Sequence, residues 1–387
     1  HLHVFPGVPI GNLAHGETNA AILKVHFPDP AGNRLSHFQR VQFQAGLQLA
    51  DMKETVHARF ELDKRPEIGL SDNGSFKGST RGKTLFDVLP GILLESLHAE
   101  RNAVLLLVEF EHFDADRLIH DMDDRRVSMS AVSAAPPTLS YWADAPSACD
   151  LASRMNDSIA QRVTAFPDRF LGLATVPLQD VDASILEARR AILQLGLHGF
   201  QIGSNVNGCN LNHPDLFPFF AAVAELGVPL FIHPYIPAGA ERMQDYYLHN
   251  LVGMVAETGL AIASIIFGGI VERLPDLKIC FAHAGGVFPY IAGRHDHGYL
   301  VREQECRQAI PHPPSHYLPF LHFDAITFHP LALRYLVDLV GSDQVLIGSD
   351  YPFDMGPRQP VDVILENSTL TEGEKAKICG QNAATFF

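Results

Sequence analysis

The chain has 387 residues, 47% hydrophobic and 19% charged, a globular balance with enough apolar material for one large core or two ordinary ones. A formal net charge of −15 excludes a broad basic surface for nucleic acid, though not a few arginines gathered around a small anionic substrate. No apolar run approaches the roughly 18–20 residues of a membrane span, and no basic segment leading into an apolar core marks a secretory signal, so no membrane partner and a cytoplasmic location are expected.

The first element is HLHVF at residues 1–5. On a strand, residues i and i+2 point to the same face, so His1 and His3 can converge on one ion. A tag remnant or a frayed terminus is the plain alternative. Residues 7–113 are largely polar and turn-rich, as in FPDPAGNRL and GLSDNGSFKGSTRGKTL, with a helix expected near 87–101 and an apolar run at 103–110. They read as a large insertion after the first strand, a lid or pocket wall within a single domain spanning 1–387.

From residue 114 onward short apolar or β-branched runs alternate with helical-length segments. The runs are 127–133, 170–176, 198–203, 228–233, 277–283, 321–325 and 344–350. Between them, SACDLASRMNDSIAQRVTAF and DASILEARRAILQLG repeat apolar residues at helical spacing, the second with Gly196 as its C-cap. Alternating strands and helices predict parallel βαβ units. With HLHVF the runs number eight, which predicts an α/β fold of the (β/α)8 TIM-barrel type. An open doubly wound sheet calls for a glycine-rich phosphate turn, and neither GxGxxG nor GxxxxGK[ST] occurs. The five cysteines (Cys149, Cys209, Cys280, Cys306, Cys379) contain no CxxC pair, so they read as reduced and mostly buried rather than as disulfides or a thiolate zinc site.

Active sites of such barrels are built at the C-terminal ends of strands. The fifth strand ends FIHP, the sixth CFAHAGG and the eighth IGSDYPF, which puts His233, His283 and Asp350 on one rim with His1 and His3. Each alone can be a loop-bonding or capping residue; together they form a set suited to Zn²⁺ or Mn²⁺. Three histidines and an aspartate leave a coordination position for water, whose pKa falls from about 15.7 toward roughly 7 on a metal. A fourth histidine then serves as base or proton donor. Strand four carries Gln201 where a bridging lysine or glutamate would serve a second ion, which favours one.

This constellation resembles the amidohydrolase superfamily, within it the branch of muconate-semialdehyde decarboxylases. The matching segments are HxHxxP (His1, His3, Pro6), RMND at 154–157, LATVPLQD at 173–180, GFQIGSN at 199–205, HP at 233–234, LKICFAHAGG at 277–286 and GSDYPF at 348–353. The resemblance implies metal ligands His1, His3, His233 and Asp350, a catalytic His283, and Arg294 reaching a substrate carboxylate across a homodimer interface. Phe353 resembles a pocket-wall aromatic. The family's second carboxylate-binding arginine has no clear counterpart, with Arg101 in poor register. A tryptophan after the fifth strand is replaced near Asn250.

The resemblance therefore implies a metal-dependent, non-oxidative decarboxylase of an aromatic or muconate-type carboxylic acid. The same residues also suit a metal-dependent hydrolase of an amide, lactone or carbon–carbon bond. A non-catalytic, metal-holding barrel is a third reading, disfavoured by the extra histidine.

Overall fold

The computed structural model describes residues 19–23, 41–45, 58–61 and 115–387. The chain divides into two compact units, residues 1–112 and 113–387. The HLHVF run with His1 and His3, the helix near 87–101 and the run at 103–110 lie outside the described residues. In the first unit, β1 (Asn19–Leu23), β2 (Val41–Ala45) and β3 (Ala58–Glu61) form an antiparallel sheet in that order, with Phe43 opposite Phe60 in its register.

The second unit begins with helix α1 (Ala115–Asp124). There follow β4 (Ser130–Ser133), α2 (Ala145–Ala165), β5 (Phe170–Ala174), α3 (Val181–Leu193) and β6 (Gly199–Gly203). A small hairpin, β7 (Asn205–Val206) and β8 (Cys209–Asn210), precedes α4 (Phe217–Leu226) and β9 (Leu230–His233). A π-helical turn at His249–Met254 runs into α5 (Val255–Phe267), then β10 (Ile279–Phe281), α6 (Phe288–Val301), β11 (Leu321–Asp324), α7 (Pro330–Val340), β12 (Val345–Leu346) and α8 (Pro360–Leu365).

Seven strands form one curled sheet in the order β12-β11-β10-β9-β6-β5-β4, every pair parallel. They correspond to the seven runs of the sequence from 127 onward. One face of the sheet is apolar, with Phe170, Phe200, Ile202, Leu230, Ile232, Ile279, Phe281, Leu321, Phe323 and Val345 in register and all buried, while the other carries polar residues such as Ser133, Gln201 and His322 among apolar ones. Near the β4 edge α1 meets the loop after β12: Tyr351 Oη donates to Asp121 at 2.7 Å, Arg125 lies 4.8 Å above the Tyr351 ring, and Arg126 pairs with Asp362 of α8.

Local signals explain the boundaries. The Asp144 carboxylate caps α2 by accepting from Ser147 N–H at 3.0 Å, and Asp180 does the same for α3 through Ala183 N–H. Helix α3 closes at Leu193 with Gln194 as its cap, so Gly196, at φ +68°, is not the cap but the left-handed turn two residues beyond it. Asn207 and Gly208 both have positive φ in the β7–β8 turn, the Asn-Gly signature of a type I′ hairpin.

Two expectations need correction. All five cysteines are free, but only Cys280 is buried and Cys209 is exposed. Residues 249–267 form a continuous helical stretch of 19 residues with mean hydropathy 1.7, long and apolar enough by composition to cross a membrane. In the sequence His249, Asn250 and Glu257 interrupt the apolar run and disguise its length. In the fold it packs inward through Ala261, Ile262, Ile265 and Ile266, which are buried in the core.

Candidate metal centre at the strand ends

His233 is the last residue of β9, in register with Gly203 of β6. His283 follows β10 by two residues, and Asp350 lies in the loop after β12. These three side chains offer ligand atoms within 4.8 Å of one another. His233 Nε2 is 3.8 Å from Asp350 Oδ1, His283 Nε2 is 3.7 Å from Asp350 Oδ2, and all three side chains are 14–16% exposed. The imidazoles stand edge to face with centroids 4.9 Å apart. These separations exceed hydrogen-bond length, yet two donors each about 2.1 Å from a tetrahedral ion lie about 3.4 Å apart.

His233 Nδ1 lies 2.9 Å from Pro234 O; donating there leaves the lone pair on Nε2. That Nε2 is buried and has no hydrogen-bond partner, and the same holds for His283 Nδ1. Buried polar groups are normally satisfied, so an imidazole locked into this tautomer and aimed at a carboxylate has the form of a metal ligand. Two imidazoles and a carboxylate fit a divalent cation of the Zn²⁺ or Mn²⁺ kind.

Charge follows the same geometry. Burial works to raise the Asp350 pKa, but the His233 and His283 imidazoles facing it outweigh that and hold it at about 2. Burial disfavours a charged His283, yet Asp350 and Asp324 raise its pKa overall. The Asp350 carboxylate is therefore ionised across the neutral pH range.

Asp324, at the end of β11 and 4% exposed, holds this geometry in place. Its Oδ2 accepts from His283 N–H at 2.8 Å, and its Oδ1 from Ala284 N–H at 2.8 Å and Ile326 N–H at 3.0 Å. The backbone it clamps is unusual: His283, Ala284, Gly285 and Gly286 are consecutive residues with positive φ, and Asp350 has φ +48°. Non-glycine residues persist there only when their surroundings fix them. Gly286 is required, since a Cβ would collide with Val255 O. Gly348 lets the chain pass close to Asp324, where an added Cβ would lie 2.9 Å from that of the aspartate.

The structure thus brings together three residues of the sequence-derived set, while His1 and His3 lie outside the described residues. Arg294 sits on α6, exposed, with no hydrogen-bond or ion-pair partner among the described residues. Phe353 closes the turn at Asp350, its N–H donating to Asp350 O at 2.9 Å. Asn250 is half-buried in the π-helical turn. Gln201 is committed elsewhere, accepting from Ser133 Oγ and donating to Ala134 O, both at 2.6 Å. Asp324 was missed, although a carboxylate ending the run LHFD was the signal.

Known proteins resemble the chain over most of its length. The chain is 44% identical over 274 residues to 2-amino-3-carboxymuconate-6-semialdehyde decarboxylase of Dictyostelium discoideum, covering 71% of this chain and 76% of that protein. Among solved structures, 5-carboxyvanillate decarboxylase of Sphingomonas paucimobilis superposes with a TM-score of 0.64 at 30% identity, over 70% of this chain and 81% of that one. The 5-carboxyvanillate decarboxylase of Novosphingobium aromaticivorans, with bound manganese, gives a TM-score of 0.67 at 26% identity, over 76% of this chain and 87% of that one. The family profile described as amidohydrolase matches residues 24–387. With a match over that length, and with histidine and aspartate at the ends of parallel strands, the chain belongs to the amidohydrolase family.

Proposed function

We propose that the protein is a metal-dependent, non-oxidative decarboxylase of an aromatic or muconate-type carboxylic acid. The observation that carries this is the His233–His283–Asp350 cluster with its buried, unpartnered imidazole nitrogens, in a chain whose relatives are named decarboxylases. His233 and Asp350 would hold one divalent ion, Zn²⁺ or Mn²⁺, and the sequence resemblance adds His1 and His3 as further ligands. When bound, such an ion acts as a Lewis acid toward substrate oxygens and stabilises negative charge that develops on them.

His283 delivers the proton. It is transferred to the carbon bearing the carboxylate; the bond to that carboxylate then breaks, CO₂ leaves, and the electron pair returns to the ring or diene. Asp324 keeps the His283 backbone fixed during the transfer, as general acid catalysis at a defined carbon requires. Arg294, offered by a second copy of the chain, would bind the substrate carboxylate, and Phe353 would form a wall of the pocket. On this reading HLHVF completes an eight-stranded barrel in one domain, with residues 7–113 as its lid.

The test is a panel of aromatic ortho-hydroxy acids, amino acids and ring-cleavage acids, assayed in D₂O with Zn²⁺- or Mn²⁺-loaded protein. Release of CO₂ with one deuterium at the vacated carbon is expected. A product that gains oxygen from water with no CO₂ released would instead establish a hydrolase and overturn the proposal.

A further inference from the structure

Glu257, in the first turn of α5, is 4% exposed, and it plays no part in the cluster above. Its partners are all neutral. Asn205 Nδ2 donates to Oε1 at 2.9 Å and Ser204 Oγ to the same oxygen at 3.3 Å, while Ala238 N–H donates to Oε2 at 3.0 Å. Burying a carboxylate without a cation is costly unless each oxygen is satisfied. Here both oxygens are, by donors from two different loops: one leaving β6, the other leaving β9.

The same donors grip the segment that follows His233. Asn205 Nδ2 also reaches Tyr235 O at 2.5 Å and Ile236 O at 3.2 Å. Ser204 Oγ accepts from Tyr235 N–H at 2.9 Å, and the Tyr235 hydroxyl donates to Leu139 O at 3.0 Å. Residues 235–238 are thus held at four backbone groups, and within them Ile236 keeps a φ of +35°, which an unsupported isoleucine would abandon. Pro234 lies between this grip and the site, and its carbonyl is the acceptor that fixes the His233 tautomer.

We infer that Glu257 is a positioning residue for His233: through Ser204, Asn205 and Ala238 it sets the backbone that orients the imidazole, without touching the site itself. The inference rests on His233 being a metal ligand. It assigns a role to a carboxylate that would otherwise be a costly ornament in an apolar helix.

The test compares E257Q and S204A with the wild type and with H233A. In E257Q the amide nitrogen must face either the Ala238 N–H or the Asn205 amide, so one donor pair is set against another. Mn²⁺ affinity, measured by chelator competition, is expected to weaken about tenfold in E257Q and about threefold in S204A. In ¹⁵N-histidine spectra the signal assigned with H233A is expected to lose its single tautomer in both variants. If both keep wild-type Mn²⁺ affinity and tautomer while their unfolding temperature falls, Glu257 is only structural and the inference is overturned. Should E257Q not fold, S204A alone decides between the same two outcomes. If H233A itself binds Mn²⁺ as tightly as the wild type, the ligand assignment fails first, and this inference fails with it.

Discussion

The two halves of the parallel sheet differ in where their polar side chains converge. In the β4–β6 half the polar side chains on the sheet pair with one another: Gln201 joins Ser133 to Ala134 O, and the fully buried Asn156 of α2 exchanges hydrogen bonds of 2.9 and 2.8 Å with Thr175 O and N–H, although Gln179 Oε1 and Ser184 Oγ are left without partners. In the β9–β12 half, His233 Nε2 and His283 Nδ1 are buried without partners, and His283, Ala284 and Asp350 carry left-handed φ values. What marks the β9–β12 half is convergence: unpartnered imidazoles, a carboxylate and left-handed backbone meet at one point, with ligand atoms within 4.8 Å of one another.

The sharpest way to break this contrast is D350N. It removes the charge that faces both imidazoles, and we expect co-purifying metal to be lost and kcat/KM to fall by about 10³-fold or more, read by elemental analysis and CO₂ release. D324A leaves three N–H groups without their acceptor, one of them His283's. A loss of about 3 kcal/mol in urea unfolding is expected, with activity lost beyond what the unfolded fraction explains. N156A, in the quiet half, should cost about 2 kcal/mol of stability yet leave kcat/KM per folded molecule unchanged; a large drop in kcat/KM there would erase the distinction.

The smallest effect concerns acid. His322 of β11, its ring 4.7 Å from that of Phe386, is pushed by burial from the ordinary 6.5 down to about 4. The unfolded chain therefore binds this proton more readily than the folded one. Its contribution to stability is full above pH 6.5 and is lost as pH falls toward 4. H322L should flatten that part of the stability-against-pH curve by about 2 kcal/mol at most, measured by denaturant unfolding at pH 7 and pH 4.5.

Much of the site was legible because it obeys a rule of place. His233, His283 and Asp350 each follow an apolar run, and parallel strands gather such residues on one rim. The strands themselves were legible from the same runs, although β12 retains only Val345–Leu346 of the run 344–350. What could not be read works through backbone groups. Asp324 ends the run LHFD, which marks its place at a strand end, but its task of accepting from three N–H groups is not written in any side-chain pattern. Glu257 looked like a polar interruption in an apolar helix, and its meaning depends on two loops that meet only in the fold. The glycine pair of HAGG carries no motif of its own, and Gly285 and Gly286 continue a run of positive φ that only the fold reveals.

The bond from Tyr351 to Asp121 spans 230 positions of sequence, and Tyr351 is the immediate neighbour of Asp350. A contact of such separation requires a large loop to close before it returns any energy. Asp350 therefore takes its final position only when the chain has folded around to its own beginning in this unit. Assembly of the ligand set is a checkpoint on complete folding: a chain stalled short of closure presents scattered imidazoles rather than a metal trap.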